Sequence, residues 1–207
     1  RITVDVPYDA SLDGAEVHYE LCEHASIHPD PATIRDWSQE WQFLVSSYGQ
    51  SDRTYIYTVN RTDVATGGSL TLRTQAEVDA FAASRINVVE GNLTIGVEGG
   101  EAIVNLDGLA GLVSVRCDLT VTNAYRGEDL AGLAGLRRCE SLRIGSAGAP
   151  NETLKRIELP ALREVAGDLQ LCGTAVRSVV FSALQRVDGA FAVGSDALAE
   201  IVADELE

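Results

Sequence analysis

Six times between residues 68 and 193 the chain repeats apolar, variable, apolar: Leu70-Thr71-Leu72, Leu93-Thr94-Ile95, Leu119-Thr120-Val121, Leu142-Arg143-Ile144, Leu169-Gln170-Leu171 and Phe191-Ala192-Val193. Period-two alternation is the pattern of a strand with one buried and one open face. The first apolar residues recur at spacings of 23, 26, 23, 27 and 22, and a period of about two dozen residues belongs to stacked repeats. The pattern reaches beyond the strands. Leu154, Ile157, Leu159, Leu162, Val165, Leu169 and Leu171 recur one repeat later as Val176, Val179, Phe181, Leu184, Val187, Phe191 and Val193. Each repeat is therefore expected to close into one coil with these side chains inside, giving a mainly β fold, a β-solenoid over residues 63–207. Gly91, Gly167 and Gly189 precede the strands, where a sharp bend would favour glycine at positive φ. Thr74-Gln75-Ala76-Glu77 reads as a capping box, which opens a helix over 75–84 that covers the first end. Length differences collect in the loops at 97–102, 123–129 and 146–153, and insertions gathered at one corner mark a functional edge.

Residues 1–62 do not repeat and read as a small α/β extension. Ile2, Val4 and Val6 alternate with polar residues before Pro7, predicting an edge strand. Val17, Tyr19 and Leu21 predict a second strand, in a hairpin with the first across the Asp13-Gly14 turn. Asp30-Pro31 resembles a helix N-cap and first position. With Ile34, Trp37, Trp41 and Leu44 at helical spacing, it predicts an amphipathic helix over 31–45. A break at Tyr48, Gly49 and Gln50 precedes a strand over 55–59.

The run Ile86-Asn87-Val88-Val89-Glu90-Gly91-Asn92-Leu93-Thr94-Ile95 resembles the first coil of the receptor L domain found in insulin-receptor and epidermal-growth-factor-receptor ectodomains. The Leu-x-x-Leu-x-x-Val-x-Gly-x-Leu coils that follow are similar to bacterial secreted and surface proteins built on the same leucine-rich-repeat-like unit. The resemblance spans roughly residues 67–201 and implies a right-handed β-solenoid without catalytic apparatus, used for extracellular binding. The chain lacks the receptors' dense cysteine modules, which suits a bacterial surface protein better than a hormone receptor.

Charge narrows the partners. Thirty-one acidic residues face sixteen basic ones, a net charge of −15. That balance repels phosphate backbones, and no basic stripe is visible in the sequence, so nucleic acid is excluded as a partner. No apolar run is long enough for a transmembrane segment. A start at Arg1 fits either a trimmed, secreted product or a truncated boundary.

The chemistry-bearing residues fall into three sets. His18, Cys22, His24 and His28 lie within eleven residues and form a candidate zinc set, with surface histidines and a disulfide-bonded Cys22 as the alternative. The four cysteines form two disulfides or remain four thiols. By repeat position the expected pairs are Cys117–Cys139, between adjacent coils, and Cys22–Cys172, which would fasten the N-terminal segment to the repeats. The outward sheet positions Asn92, Thr94, Asp118, Thr120, Arg143, Asp168 and Gln170 make a polar ligand platform, or simply a solvated face. Asn60, Asn92 and Asn151 begin glycosylation sequons. No Ser-His-Asp set is available, because every histidine is N-terminal. Gly99-Gly100 lacks the lysine and the strand-helix context of a phosphate loop, and no cofactor is implied.

The sequence thus points to a non-enzymatic, secreted or cell-surface binding module that takes a protein or glycan ligand. The alternatives are a carbohydrate-active enzyme using the same face, or a filament subunit that self-associates through its N-terminal strand.

Overall fold

The computed structural model describes residues 1–7, 10, 12–47, 49, 51–173 and 175–206. Tyr48 and Gln50, at the expected break, lie outside them, as does Glu207. The chain is mainly β and divides into two compact units, Arg1–Asp63 and Val64–Glu207.

The first unit is a four-stranded mixed sheet of β1 (Ile2–Pro7), β2 (Ser26–His28), β3 (Trp41–Ser46) and β4 (Asp52–Thr62), in the order β1-β4-β3-β2. β1 is an edge strand, as its alternation predicts. It pairs in parallel with β4, placing Ile2 opposite Tyr57 and Val4 opposite Val59, rather than forming a hairpin with residues 17–21. Those residues form no strand, and Val17, Tyr19 and Leu21 are exposed.

The helix expected over 31–45 is also absent, and no α-helix occurs among the described residues of this unit. Asp30 does cap the turn that Pro31 begins, accepting from the Ala32 N–H at 2.9 Å, but the turn is a 3-10 turn of three residues, Pro31–Thr33. Asp36 then accepts from both the N–H and the hydroxyl of Ser38, an Asx turn that competes with helix. Past it, Trp41, Phe43 and Val45 obey period two, and their aromatic and β-branched side chains favour the strand. Pairing with β4 settles the choice: Trp41 faces Tyr57 and Phe43 faces Tyr55. Ile34, Trp37 and Phe43 form the buried centre, and the Trp37 ring meets Tyr57 edge-on at 5.1 Å between centroids.

In the second unit the repeats contribute to three parallel ladders around one apolar core. The long ladder has six strands: Leu70–Leu72, Leu93–Ile95, Leu119–Val121, Leu142–Ile144, Leu169–Cys172 and Phe191–Gly194. A short ladder joins Val88–Val89, Ser114–Val115, Arg138–Cys139, Glu164–Val165 and Arg186–Val187, and a third joins Arg156–Glu158, Ser178–Val180 and Glu200–Val202. Neighbours in each ladder are successive repeats. Along the long ladder Leu93, Leu119, Leu142 and Leu169 stack in register, and all are fully buried.

Helix α1 (Gln75–Ser84) closes the first end as the capping box predicts. Thr74 accepts from the Glu77 N–H at 3.2 Å, while the Glu77 carboxylate accepts from the Arg73 N–H. α1 lays Val78 and Phe81 on the core. Gly108 passes so close beneath it that a Cβ there would sit 1.9 Å from the Val78 carbonyl oxygen.

The glycines before the strands have a different cause from the one expected. Gly91, Gly167 and Gly189 do not have positive φ. Their need is space: a Cβ on Gly91 would lie 2.5 Å from the Ser69 nitrogen, and one on Gly189 would lie 2.6 Å from the Gly167 carbonyl carbon. Positive φ occurs instead where the chain leaves the strand, at Gly96 (+81°) and Gly145 (+62°).

Candidate functional site

The long ladder turns the first and third residues of each strand triplet inward and leaves the middle ones in a column facing out: Thr71, Thr94, Thr120, Arg143, Gln170 and Ala192, aligned residue for residue. Adjacent members are about 4.8 Å apart, the spacing of paired strands. The hydroxyls of Thr71, Thr94 and Thr120 have no intramolecular hydrogen bond among the described residues, so they remain available as donors and acceptors.

The second column, where the chain bends into each strand, serves mainly to brace the bends. Asn92 Oδ1 accepts from the Asp118 N–H at 3.1 Å, and Asp168 Oδ1 accepts from the Ala190 N–H at 3.0 Å. Asn92 and Asp168 thus tie one layer to the next. The second carboxylate oxygen of Asp168 accepts from Gln170 Nε2 at 3.2 Å. Asp118 differs from both. Its side chain reaches across one strand to Arg143, whose Nη1 donates to Oδ2 at 2.7 Å, with both groups a third or more exposed. The seven platform residues expected from sequence therefore separate into hydroxyls open to a ligand (Thr94, Thr120), an ion pair on the face (Asp118, Arg143), and groups engaged in bracing (Asn92, Asp168, with Gln170).

The cysteines are free thiols, so the structure contains neither Cys117–Cys139 nor Cys22–Cys172. Register explains the first. Cys139 aligns with Val165, and the preceding Arg138 with Ser114, so Cys139 takes the inward slot filled by Val115 one repeat earlier. Cys117 lies two residues past that slot, on the bend, where its thiol approaches the Glu90 carbonyl at 3.9 Å. Burial first, then the charges of Asp118 and Glu140, push the Cys139 thiol up to about 12. Of the other pair, Cys22 is exposed and Cys172 half-buried.

His18 and Cys22 sit outside any strand, His28 ends β2, and His24 at φ +65° lies 3.5 Å from Glu23. Among the described residues no three His, Cys, Asp or Glu side chains are grouped so as to hold a metal ion.

The sequons differ in access. Asn151 is fully buried. Its amide donates to the Tyr125 carbonyl at 2.7 Å, and its oxygen accepts from the Thr153 and Leu154 N–H groups at 3.1 and 2.9 Å. Asn60 is exposed on β4 and donates to Asp5 at 2.9 Å. The Tyr125 hydroxyl donates to the Asp129 carbonyl, and burial, followed by the charges of Asp129 and Asp107, raises its pKa.

One charged surface escapes a linear reading. On the short ladder Arg138, Glu164 and Arg186 align in register. Glu164 bridges both arginines, at 3.6 and 2.5 Å, and Asp188 adds a contact to Arg186 at 3.2 Å. Beside this row, Arg163, Glu164, Gln185 and Arg186 line a groove of about 470 Å³. The signal is the residue before each inward valine or cysteine, visible only once the repeats are aligned on that slot. Alternation of sign keeps the row close to neutral, so it is not a phosphate-binding stripe.

No helix among the described residues is long and apolar enough to cross a membrane. The chain matches no protein-family model, no curated protein and no solved structure.

Proposed function

We propose that the chain is a non-catalytic binding module of the secreted or cell-surface kind, a right-handed β-solenoid resembling the receptor L domain, which takes a protein or glycan ligand on the outward face of its long ladder. The observation that carries this reading is the in-register column of Thr71, Thr94, Thr120, Arg143 and Gln170. Three free hydroxyls, a guanidinium held by Asp118 and an amide repeat at strand spacing on a rigid layer, and rigid elements place polar groups more reliably than loops do. A ligand lying across the strands would meet one such group at every layer.

The carboxylates on this face are poorly suited to hydrolysis. Asp118 is paired with Arg143, and Asp168 has both oxygens engaged, whereas glycoside hydrolysis needs one carboxylic acid and one free carboxylate flanking a bond. Incubation on glycan and protein arrays, run beside a depolymerisation assay on the glycans retained, tests the reading. Retention without turnover, lost in Thr120→Ala/Arg143→Ala, supports it. Turnover would favour the carbohydrate-active enzyme, and retention unaffected by the double substitution would move the site off this face.

A further inference from the structure

In the first unit two stretches outside the sheet run past each other in opposite chain directions and are tied at both ends. At one end the Gly14 N–H donates to the Arg35 carbonyl at 2.9 Å, where Gly14 at φ +71° turns the chain. At the other the Tyr19 hydroxyl donates to the Asp30 carboxylate at 2.7 Å, on the same oxygen that caps the turn begun by Pro31. Between the ties lie residues 15–18 on one side and 31–34 on the other. No backbone hydrogen bond joins these two runs among the described residues. They stand apart instead and leave a cleft of about 310 Å³.

The floor of the cleft is apolar. Pro31 and Ile34 are buried, and Ile34 belongs to the core that holds Trp37 and Phe43. Val17, 37% exposed, lines the same space. The rim carries both signs of charge. Glu16 and Arg35 both line the cleft and both are exposed, yet among the described residues neither side chain forms an ion pair or a hydrogen bond, with the other or with any further group.

That make-up specifies what fits. A concave site with an apolar lining and a few polar groups is the usual form of a small-molecule site, and the volume stands at the lower end of the range of about 300–1,000 Å³ that such sites span. A ligand with a single charge would satisfy one rim residue and leave the other without a partner, and a polyanion would meet the Glu16 carboxylate. One unpaired cation and one unpaired anion above an apolar floor match a small ligand that carries both charges and a short apolar body.

We infer that this cleft binds a zwitterion, an α-amino acid with an apolar side chain. Its carboxylate takes the Arg35 guanidinium, its ammonium takes the Glu16 carboxylate, and its side chain lies over Pro31 and Ile34 beside Val17. Both polar contacts are charge-assisted hydrogen bonds, the stronger kind. His18, grouped by sequence with the candidate zinc ligands, lines this cleft instead, where a ring nitrogen can meet the ligand carboxylate. The site lies wholly within the first unit and requires no ligand on the long ladder.

The test titrates the whole chain by calorimetry with L-leucine and L-phenylalanine. The comparators each lack one feature: the des-amino acids the ammonium, the amino-acid amides the carboxylate, and glycine the apolar side chain. The expected result is saturable binding of leucine or phenylalanine with a Kd of about 1 mM or tighter, and binding weaker by about tenfold or more for every comparator. Glu16→Gln and Arg35→Gln, both at exposed sites, should each weaken binding by about tenfold with an unchanged circular dichroism spectrum. Failure of both amino acids to bind saturably below about 10 mM would overturn the inference. So would a des-amino acid or an amide that binds as tightly as its parent, since one charge would then suffice. Retained affinity in both glutamine variants, or its loss in Thr120→Ala/Arg143→Ala, would place the amino acid outside the cleft and overturn the inference as well.

Discussion

Arg143 and Asp118 form an ion pair at 2.7 Å across adjacent strands of the long ladder, on the face turned away from the core. Both side chains are partly solvated, so the pair is worth at most about 1 kcal/mol. Its consequence is positional: the guanidinium is held in the column between Thr120 and Gln170. Arg143→Ala is therefore expected to shift the urea midpoint only slightly while abolishing retention on the array. A large loss of stability, with retention preserved in the folded fraction, would make the pair structural instead.

Asn151 is expected to behave in the opposite way. Buried and bonded on both sides of its amide, it joins its own loop to Tyr125 one repeat earlier. Asn151→Ala strands at least two backbone groups without partners at roughly 1–3 kcal/mol each, so a loss of about 3 kcal/mol follows. A lower urea midpoint with an unchanged m-value would show it. The same burial predicts that expression in a glycosylating host leaves Asn151 unmodified, checked by mass spectrometry of its tryptic peptide.

Legibility differed sharply between the two units. The six strand phrases, the inward columns and the 75–84 helix were readable because one physical demand, a buried side chain at each layer, recurs many times and averages out local noise. Residues 1–62 had no such redundancy. Ile34, Trp37, Trp41 and Leu44 satisfy helical spacing, but pairing with Tyr55 and Tyr57, distant in sequence, selected the strand. Cysteine placement turned on a single deleted residue between Cys139 and Leu142, which moves Cys139 into a core slot. The face residues were readable as outward, yet the division of Asn92 and Asp168 from Thr94 and Thr120 depends on hydrogen bonds no spacing reveals.

Close approach of layers predicts which glycines are irreplaceable. A Cβ on Gly132 would lie 1.8 Å from the Leu106 carbonyl oxygen, backbone that cannot swing aside. Gly132→Ala should cost about 2–3 kcal/mol through displacement of the layers. Gly111, with open space around its Cβ position, is the control: Gly111→Ala should leave the urea midpoint within about 0.5 kcal/mol of the parent. Equal effects at both positions would refute the packing argument.

Thiol access orders the cysteines. Under native conditions iodoacetamide should label Cys22 first and leave Cys139 untouched, because reaction requires an exposed thiolate. Unfolding in urea without reductant should release four alkylatable thiols. Recovery of fewer, with Cys117–Cys139 or Cys22–Cys172 linked peptides in the digest, would instead restore the disulfide framework that the sequence suggests.

The alkaline limb of stability should carry a mark of Cys139. Its pKa is raised from 9.0 to about 12, chiefly by burial. Well below pH 9 the thiol is neutral in both the folded and unfolded chains and contributes no pH dependence. Between about 9 and 12 the unfolded chain releases this proton while the folded chain keeps it, so stability falls as pH rises, with a limiting slope of about 1.4 kcal/mol per pH unit. Tyr125, also raised and also mainly by burial, adds a second loss of the same sign that begins above pH 10. Cys139→Val separates the two. Valine already occupies the equivalent slot at Val115 and Val165, so the variant should match the parent near pH 7 to within about 1 kcal/mol. It should also remove the decline between pH 9 and 10 that urea midpoints of the parent display. A parent and variant that decline in parallel over that interval would place the alkaline sensitivity elsewhere and show that the Cys139 thiol ionises without opening the core.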